Sequence, residues 1–245
     1  MNILVCLSAV PDTTTKITFT DNDTKFNTDG VQFIINPYDE LALTKALEIT
    51  EAKGGEVTVI SVGEASIDPV IRKALAIGAH KAIRIDTAAK DGMHVAQSIK
   101  QAIEGQSFDL ILTGRESIDY NGGQVAGLLS ELMDMSLVNV VTSIEVEGDS
   151  VTAIRDIDGG RETVSASLPC VLSAQKELCE PRIPNMRGIM QARTKPLEVI
   201  APAGDYTKTD YVGYELPPAK EGVKLIDAAN AEELIDLLRS EKKLI

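Results

Sequence analysis

Apolar runs of strand length alternate with stretches of helical period along the first 135 residues. Residues 3–10 read as a first apolar strand, and a polar excursion over 12–30 separates it from the apolar run 31–35. Long excursions of this kind commonly carry function. A helix is predicted over 39–53, introduced by Pro37 and Asp39, with Ala42, Leu43, Ala46, Leu47 and Ile49 forming an apolar arc and Gly54 and Gly55 ending it. EVTVISVG at 56–63 is a continuous apolar run, the pattern of a strand covered on both faces of a parallel sheet. Asp68 as N-cap, Pro69 as first helical residue and Gly78 just past the end frame the next helix. AIRID at 82–86, a helix from about 91 to 103, and FDLILTG at 108–114 add another strand-helix-strand unit.

This alternation predicts an α/β fold with a doubly wound, mostly parallel sheet and right-handed crossovers, in which a ligand binds beyond the carboxyl ends of the strands. The ends that matter are 5–8, 61–63 and 113–117. After Ser136 the period changes to two, with turns at Gly148-Asp149 and Asp158-Gly159-Gly160, which predicts an antiparallel β extension. CVLSAQ at 170–175 is a last buried strand, and the proline-punctuated stretch 176–196 is an ordered loop plus a short helix. Residues 1–202 form the main domain. Residues 203–245 form a C-terminal arm, with a Pro217-Pro218 break and a terminal amphipathic helix carrying Leu234, Leu237 and Leu238 on one face. Such an arm docks on a partner or packs back on its own domain; the pattern alone does not choose.

Composition narrows the function classes. A formal net charge of −13, with no Lys/Arg-rich face evident from the spacing, argues against a nonspecific nucleic-acid binder. The opening NILVCLSAV has no basic flank and is shorter than an export signal or a membrane span, so a cytoplasmic protein without membrane insertion is expected. Cys6, Cys170 and Cys179 lie in separate segments with no metal-ligand spacing and read as reduced, mostly buried thiols. His80, past a helix end, and His94, in a helix first turn, are the only histidines and read as surface residues, so no metal site is expected. No GxxxxGK[ST] or GxSxG run occurs, which removes Walker-type phosphoryl transfer and elbow-type hydrolysis, and no GxGxxG follows the first strand, which argues against a standard dinucleotide fold. No catalytic residue is expected.

The best candidate for a nucleotide site is DLILTGRESIDYNGGQVAGLLSELM at 109–133: a strand, a polar turn, then a helix beginning near Gly123. Helix N-termini offer unpaired N–H groups and about half a positive charge, and Gly122 and Gly123 let the main chain approach a phosphate. Ser117, Asp119, Asn121 and Gln124 are candidates for ribose or phosphate, or else serve as turn and cap residues. Acidic Asp119 suits ribose hydroxyls or a cap better than phosphate. In NPYDELAL, Pro37 holds Asn36 extended with its amide free to face a ligand, while Asp39 faces the ligand or caps the helix. In RDIDGGRE, Arg155 and Asp156 form a cross-strand charge pair or hold a moving partner. RIPNMRGIM places the adaptable side chain of Met186 among Pro184, Asn185, Arg187 and Gly188, a composition suited to docking in a partner's groove.

NPYDELAL, IRKALAIGA, DLILTGRESID with the following Gln124, RDIDGGRE and EPRIPNMRGIMQAR, in that order and spacing over nearly all of residues 1–200, resemble the β subunit of electron transfer flavoprotein. The resemblance implies an adenine-nucleotide α-hydrolase-like sheet and a heterodimer whose α subunit holds most of the FAD. It also implies electron flow from acyl-CoA dehydrogenases and related flavoenzymes toward a membrane-bound quinone oxidoreductase, as in fatty acid β-oxidation. The family's nucleotide contacts correspond to Cys6, Asn36, Pro37, Tyr38, Asp39 and Val62, and to Asp119, Tyr120, Asn121, Gly122, Gly123, Gln124, Val125, Ala126, Gly127, Leu128, Leu129 and Ser130. Its dehydrogenase-recognition loop corresponds to Arg182, Ile183, Pro184, Asn185, Met186, Arg187, Gly188, Ile189 and Met190. A carboxylate that influences the mobile FAD domain corresponds to Asp156, shorter than the glutamate often found there. Electron-bifurcating members usually show a GDTAQV-like run where this chain has YNGGQV, so AMP is expected in the site and a second FAD is the alternative. Two further readings are a stand-alone nucleotide sensor of the universal-stress type and an ATP-using enzyme of the same fold class. The first would lack the β extension and the RIPNMRGIM loop, and the second would need an SGGxDS loop and paired histidines.

Overall fold

In the computed structural model, which describes residues 1–220 and 222–244, the apolar runs lie side by side in one nine-stranded sheet. In chain order the strands are β1 (Asn2–Cys6), β2 (Ala9–Pro11), β3 (Phe19–Thr20), β4 (Lys25–Phe26), β5 (Phe33–Ile35), β6 (Glu56–Val62), β7 (Lys81–Ile85), β8 (Leu110–Gly114), β9 (Ser136–Glu147), β10 (Ser150–Ile157), β11 (Gly160–Ser167), β12 (Cys170–Ala174) and β13 (Leu197–Ile200). The helices are α1 (Pro37–Lys53), α2 (Asp68–Ile77), α3 (Gly92–Ala102), α4 (Val125–Leu132), α5 (Met186–Ala192) and α6 (Ala231–Ser240). The main sheet runs β11-β10-β9-β12-β8-β1-β6-β7-β13, parallel from β9 to β13 and antiparallel only where β10 and β11 extend it. This is the expected doubly wound, mostly parallel α/β sheet with its antiparallel extension.

The central strands are apolar throughout because helices cover both sheet faces. Ile3 and Val5 of β1 join the apolar layer shared with α1 and α2, while Leu4 and Cys6 join the layer shared with α3 and α4. β8 and β12 divide the same way, Leu110, Leu112, Cys170 and Leu172 on one side, Ile111 and Val171 on the other. From β1 the chain winds outward through β6 and β7, then returns so that β8 pairs with the opposite edge of β1. The strand order therefore reverses between β1 and β8, and a crevice opens at their carboxyl ends.

Several details differ from the sequence expectations. β1 stops at Cys6 instead of running on to Val10, because the chain peels away: Ser8 donates its N–H to the Asp39 carboxylate and its carbonyl accepts the Asn36 N–H. β9 is more than a hairpin strand. Its first half pairs parallel to β12, and the register slips at Asn139 and Val140, where Val140 adopts a φ of 62°. The Ser173 hydroxyl accepts the Val140 N–H and donates to Asn139, so the bulge is closed by side-chain hydrogen bonds. α4 begins at Val125, later than the expected Gly123. β13, a half-exposed edge strand with little periodicity, was not foreseen. His94 is buried, not a surface residue: the Asp91 carboxylate caps α3 and sets its register so that His94, Ala96 and Ser98 turn inward. His80 is exposed, and its Nδ1 accepts the Val57 N–H at 3.0 Å. Among the described residues, no helix is long and apolar enough to cross a membrane.

Candidate functional site

A cleft of about 400 Å³ occupies the switch point. Its walls come from the chain just after β1, the turn after β6, the segment before α3 and the joint between β8 and α4. Cys6, Asp39, Val62, Asp119, Tyr120, Gly122, Gly123, Val125 and Ala126 all line it, so residues separated by more than a hundred positions meet as the strand-end rule requires.

Asp39 is the fixed point of this cleft. Its Oδ2 accepts the Ser8 N–H at 2.7 Å and its Oδ1 accepts the Gly114 N–H at 2.8 Å, which ties the end of β1 to the end of β8. Burial pushes its carboxyl up to about 7, against the pull of the hydrogen bonds from Ser8, Asn36 and Gly114. Gly114 has no substitute here, since a Cβ would lie 2.3 Å from Asp39 Oδ1. Asn36 is fully buried and its amide is already used: Nδ2 donates to the Glu116 carbonyl at 2.8 Å and Oδ1 accepts the Ile118 N–H at 3.3 Å. The expected free amide is replaced by a brace that shapes the turn after β8. Pro37 starts α1 and Tyr38 lies under the Arg115 guanidinium, 5.7 Å from the ring centre. Neither faces the cleft.

The turn between β8 and α4 is held by its own polar groups. Ser117 and Gly122 form an isolated bridge in which the Ser117 N–H donates to the Gly122 carbonyl at 3.1 Å. The Asp119 carboxylate accepts the Ser117 hydroxyl and the Tyr120 N–H. Tyr120 folds its ring over Gly122, where a Cβ would sit 2.1 Å from the ring, and Asn121 takes a φ of 54°. α4 then begins without a capping side chain, since Gln124 at its cap position makes no cap hydrogen bond. α3 and α5, by contrast, are capped by Asp91 and Asn185. Val125 and Ala126, at the uncapped start of α4, line the cleft beside Gly122 and Gly123, and an uncapped helix start beside glycines suits an anion. Elsewhere the walls carry the carboxylates of Asp39, Glu64, Glu116 and Asp119 against the single cation Arg115, itself 3.1 Å from Glu116. The walls are therefore acidic everywhere except at the α4 terminus and Arg115.

Asn121, Gln124, Gly127, Leu128, Leu129 and Ser130 do not line the cleft. Leu129 packs in the core, the Ser130 hydroxyl donates to the Gly127 carbonyl within α4, and Gln124 and Leu128 lie against Gly92. Lining residues that sequence reasoning missed include Thr28, Phe33, Ser66, Ile67, Ala88 and Ala89. The alanines carry no chemical signature, and Thr28 and Phe33 reach the cleft only because the excursion after β2 folds back over the strand ends.

The RIPNMRGIM segment is a second, separate surface. Asn185 caps α5 by accepting the Gly188 N–H at 2.8 Å, and Arg72 of α2 donates to the Ala192 and Lys195 carbonyls at 2.8 Å each. Gly188 permits the close approach, because a Cβ there would lie 2.3 Å from the Ala76 carbonyl oxygen. Arg182 forms a two-pronged ion pair with Glu51 at 2.6 and 2.9 Å. On this rigid base Ile183, Met186 and Met190 are 86%, 74% and 70% exposed, while Pro184 and Ile189 turn toward a shallow groove against α2 and Arg187 is exposed. Asp156 lies on the β extension, paired across strands with Arg161 at 3.0 Å and reached by Gln175 at 3.4 Å. Arg155 pairs with Glu162 at 2.9 Å, so this ladder is laced by cross-strand charge pairs.

Residues 23–205 match the family model described as the electron transfer flavoprotein domain. Over the whole of both chains the sequence is 37% identical to the electron transfer flavoprotein subunit beta of Bacillus subtilis (strain 168). It is 38% identical to that of Syntrophomonas wolfei over 93% of this chain and 90% of the relative, and 32% identical to that of Bos taurus over 98% and 97%. A family match over most of the chain and full-length similarity to beta subunits agree with the nucleotide-type cleft and the exposed loop: the chain belongs to the electron transfer flavoprotein family, among its beta subunits.

Proposed function

We propose that this chain is the scaffold half of a heterodimeric electron carrier, with AMP in the cleft and FAD held mainly by an α subunit. The observation that carries the reading is the uncapped start of α4 beside Gly122 and Gly123, opening into a cleft whose other walls are acidic. A monophosphate at the helix start would satisfy orphan N–H groups and the helix dipole, and the carboxylates of Glu64 and Asp119 would take ribose hydroxyls and the adenine amino group. Bound nucleotide stabilises the folded chain by mass action, so AMP has a structural role. Tyr120 folded over Gly122 narrows the site, which supports AMP over a second FAD.

FAD supplies the redox chemistry when bound in the heterodimer, and this chain's task is to position it and to present docking surfaces. Ile183, Met186 and Met190 offer adaptable apolar side chains on a fixed loop, which suits capture of acyl-CoA dehydrogenases and related flavoenzymes. Asp156 contacts the FAD-bearing domain as it moves, and the exposed α6 of the arm docks on the α subunit. Electrons then pass toward a quinone oxidoreductase, with the protein in the cytoplasm. Co-expression with an electron transfer flavoprotein α subunit tests this: the chains should co-elute in gel filtration as a yellow heterodimer. A self-sufficient homodimer that ignores the α chain would favour the sensor reading instead.

A further inference from the structure

Residues 205–214, near the start of the C-terminal arm, do not hang free; they are tied to segments on either side of the cleft. On one rim, just beyond the cleft-lining Ala88 and Ala89, Lys90 pairs with Asp205 at 2.6 Å. The neighbouring Asp91 accepts the Lys208 N–H at 2.6 Å and the Thr209 N–H at 2.7 Å with the carboxylate oxygen not used to cap α3. On the other rim, where the excursion after β2 contributes Thr28, Tyr214 donates its N–H to the Asp23 carbonyl at 2.7 Å. Tyr214 also stacks on Phe19 with ring centres 5.0 Å apart, and Tyr211 stacks on Tyr214 at 5.7 Å.

The tyrosines are not spread evenly. Of the five in the chain, three fall at 206, 211 and 214, which gives an otherwise polar segment its own aromatic anchors. Desolvation raises the Asp91 carboxyl, yet the hydrogen bonds from His94, Lys208 and Thr209 outweigh it and hold the group at about 2, so this tether is ionised at neutral pH. The Tyr211 phenol is raised by burial and then by the nearby Tyr214, Asp119 and Asp91.

We propose that residues 205–214 form a strap across the mouth of the cleft, which must detach at one rim before a bound nucleotide leaves. The inference rests on the nucleotide reading above. No residue of the strap lines the cleft; it acts as a bar between the rims, so it governs exchange and leaves the contacts of the seated ligand to the cleft walls. Beyond the strap the arm continues to Leu216, Leu225 and α6, with Leu216 and Leu225 exposed. A partner that fixes the arm would also hold the strap down, and by reciprocity a bound nucleotide would favour arm docking.

The test uses the heterodimer loaded with radiolabelled AMP and diluted into excess unlabelled AMP. Tyr211→Ala/Tyr214→Ala should release AMP at least tenfold faster than the natural chain while keeping its circular dichroism spectrum and α-subunit association. In the natural chain, amide hydrogen exchange at Lys208 and Thr209 should slow when AMP is added, a readout that does not depend on the variant folding. Release within twofold of the natural chain, or exchange at both amides indifferent to AMP, overturns the strap and leaves the nucleotide reading standing. A natural heterodimer that neither retains nor binds AMP overturns both.

Discussion

At the scale of single residues, Asp39 does the most to give the cleft its shape. Its type was legible in NPYDELAL, but its task was not: it neither caps α1 nor awaits a ligand with both oxygens, since Ser8 and Gly114 already occupy them. Those partners lie 31 and 75 positions away, so only the folded sheet brings them together. The pH dependence follows from its burial. Its folded value of about 7 lies above the ordinary 3.8, so the folded chain keeps a proton that the unfolded chain has released. The associated stability is full below about pH 4 and is lost as pH rises through about 7. Asp39→Asn lacks this titration, so its urea midpoint relative to the natural chain should rise from pH 4 to about pH 7 and then level off; a constant difference across that range contradicts the assignment. Gly114→Ala forces a Cβ against Asp39 Oδ1 and should cost about 1–3 kcal/mol by overpacking, read by urea denaturation. A neutral effect would mean that the carboxylate does not hold the strand ends as described.

At the scale of elements, the strongly periodic segments were legible and the irregular ones were not. α1 followed from its apolar arc and Pro37, and α2 from Pro69 and Gly78, although Asp68 is the first helical residue of α2 and makes no cap; α3 was placed within a residue of its observed bounds. The stop of β1, the bulge at Val140 and the edge strand β13 were hidden, since each depends on a distant partner: Asp39, Ser173 and β7 respectively. α5 illustrates a further division. The exposure of its methionines agrees with the loop composition, but the glycine contact with Ala76 and the carbonyl bonds from Arg72 that hold it were visible only in the fold. Since Met186 is exposed and α5 is anchored by other residues, Met186→Asp should leave the thermal midpoint within about 2 °C, as surface changes do. It should also lower dehydrogenase-to-carrier electron transfer at least tenfold, measured by steady-state flavin reduction. Unimpaired transfer with every dehydrogenase tried would remove Met186 from the docking surface.

At the scale of the whole molecule, one sheet serves two surfaces that share no residues. The cleft lies at the carboxyl ends of β1, β6 and β8, while the exposed apolar side chains of the 182–190 segment lie on and before α5, outside the α2 layer. On the function proposed above, the chain would hold a small ligand as ballast for its fold and leave its outer faces for larger partners. On the same proposal a cofactor carries the chemistry and the polypeptide supplies geometry, which suits an electron transfer flavoprotein family member with two histidines, one of them buried. The most direct test of the central claim is the nucleotide content of the purified heterodimer, released by denaturation and resolved by chromatography. One AMP and one FAD per heterodimer is the expected result, and a heterodimer carrying no adenylate besides a single FAD would contradict the account.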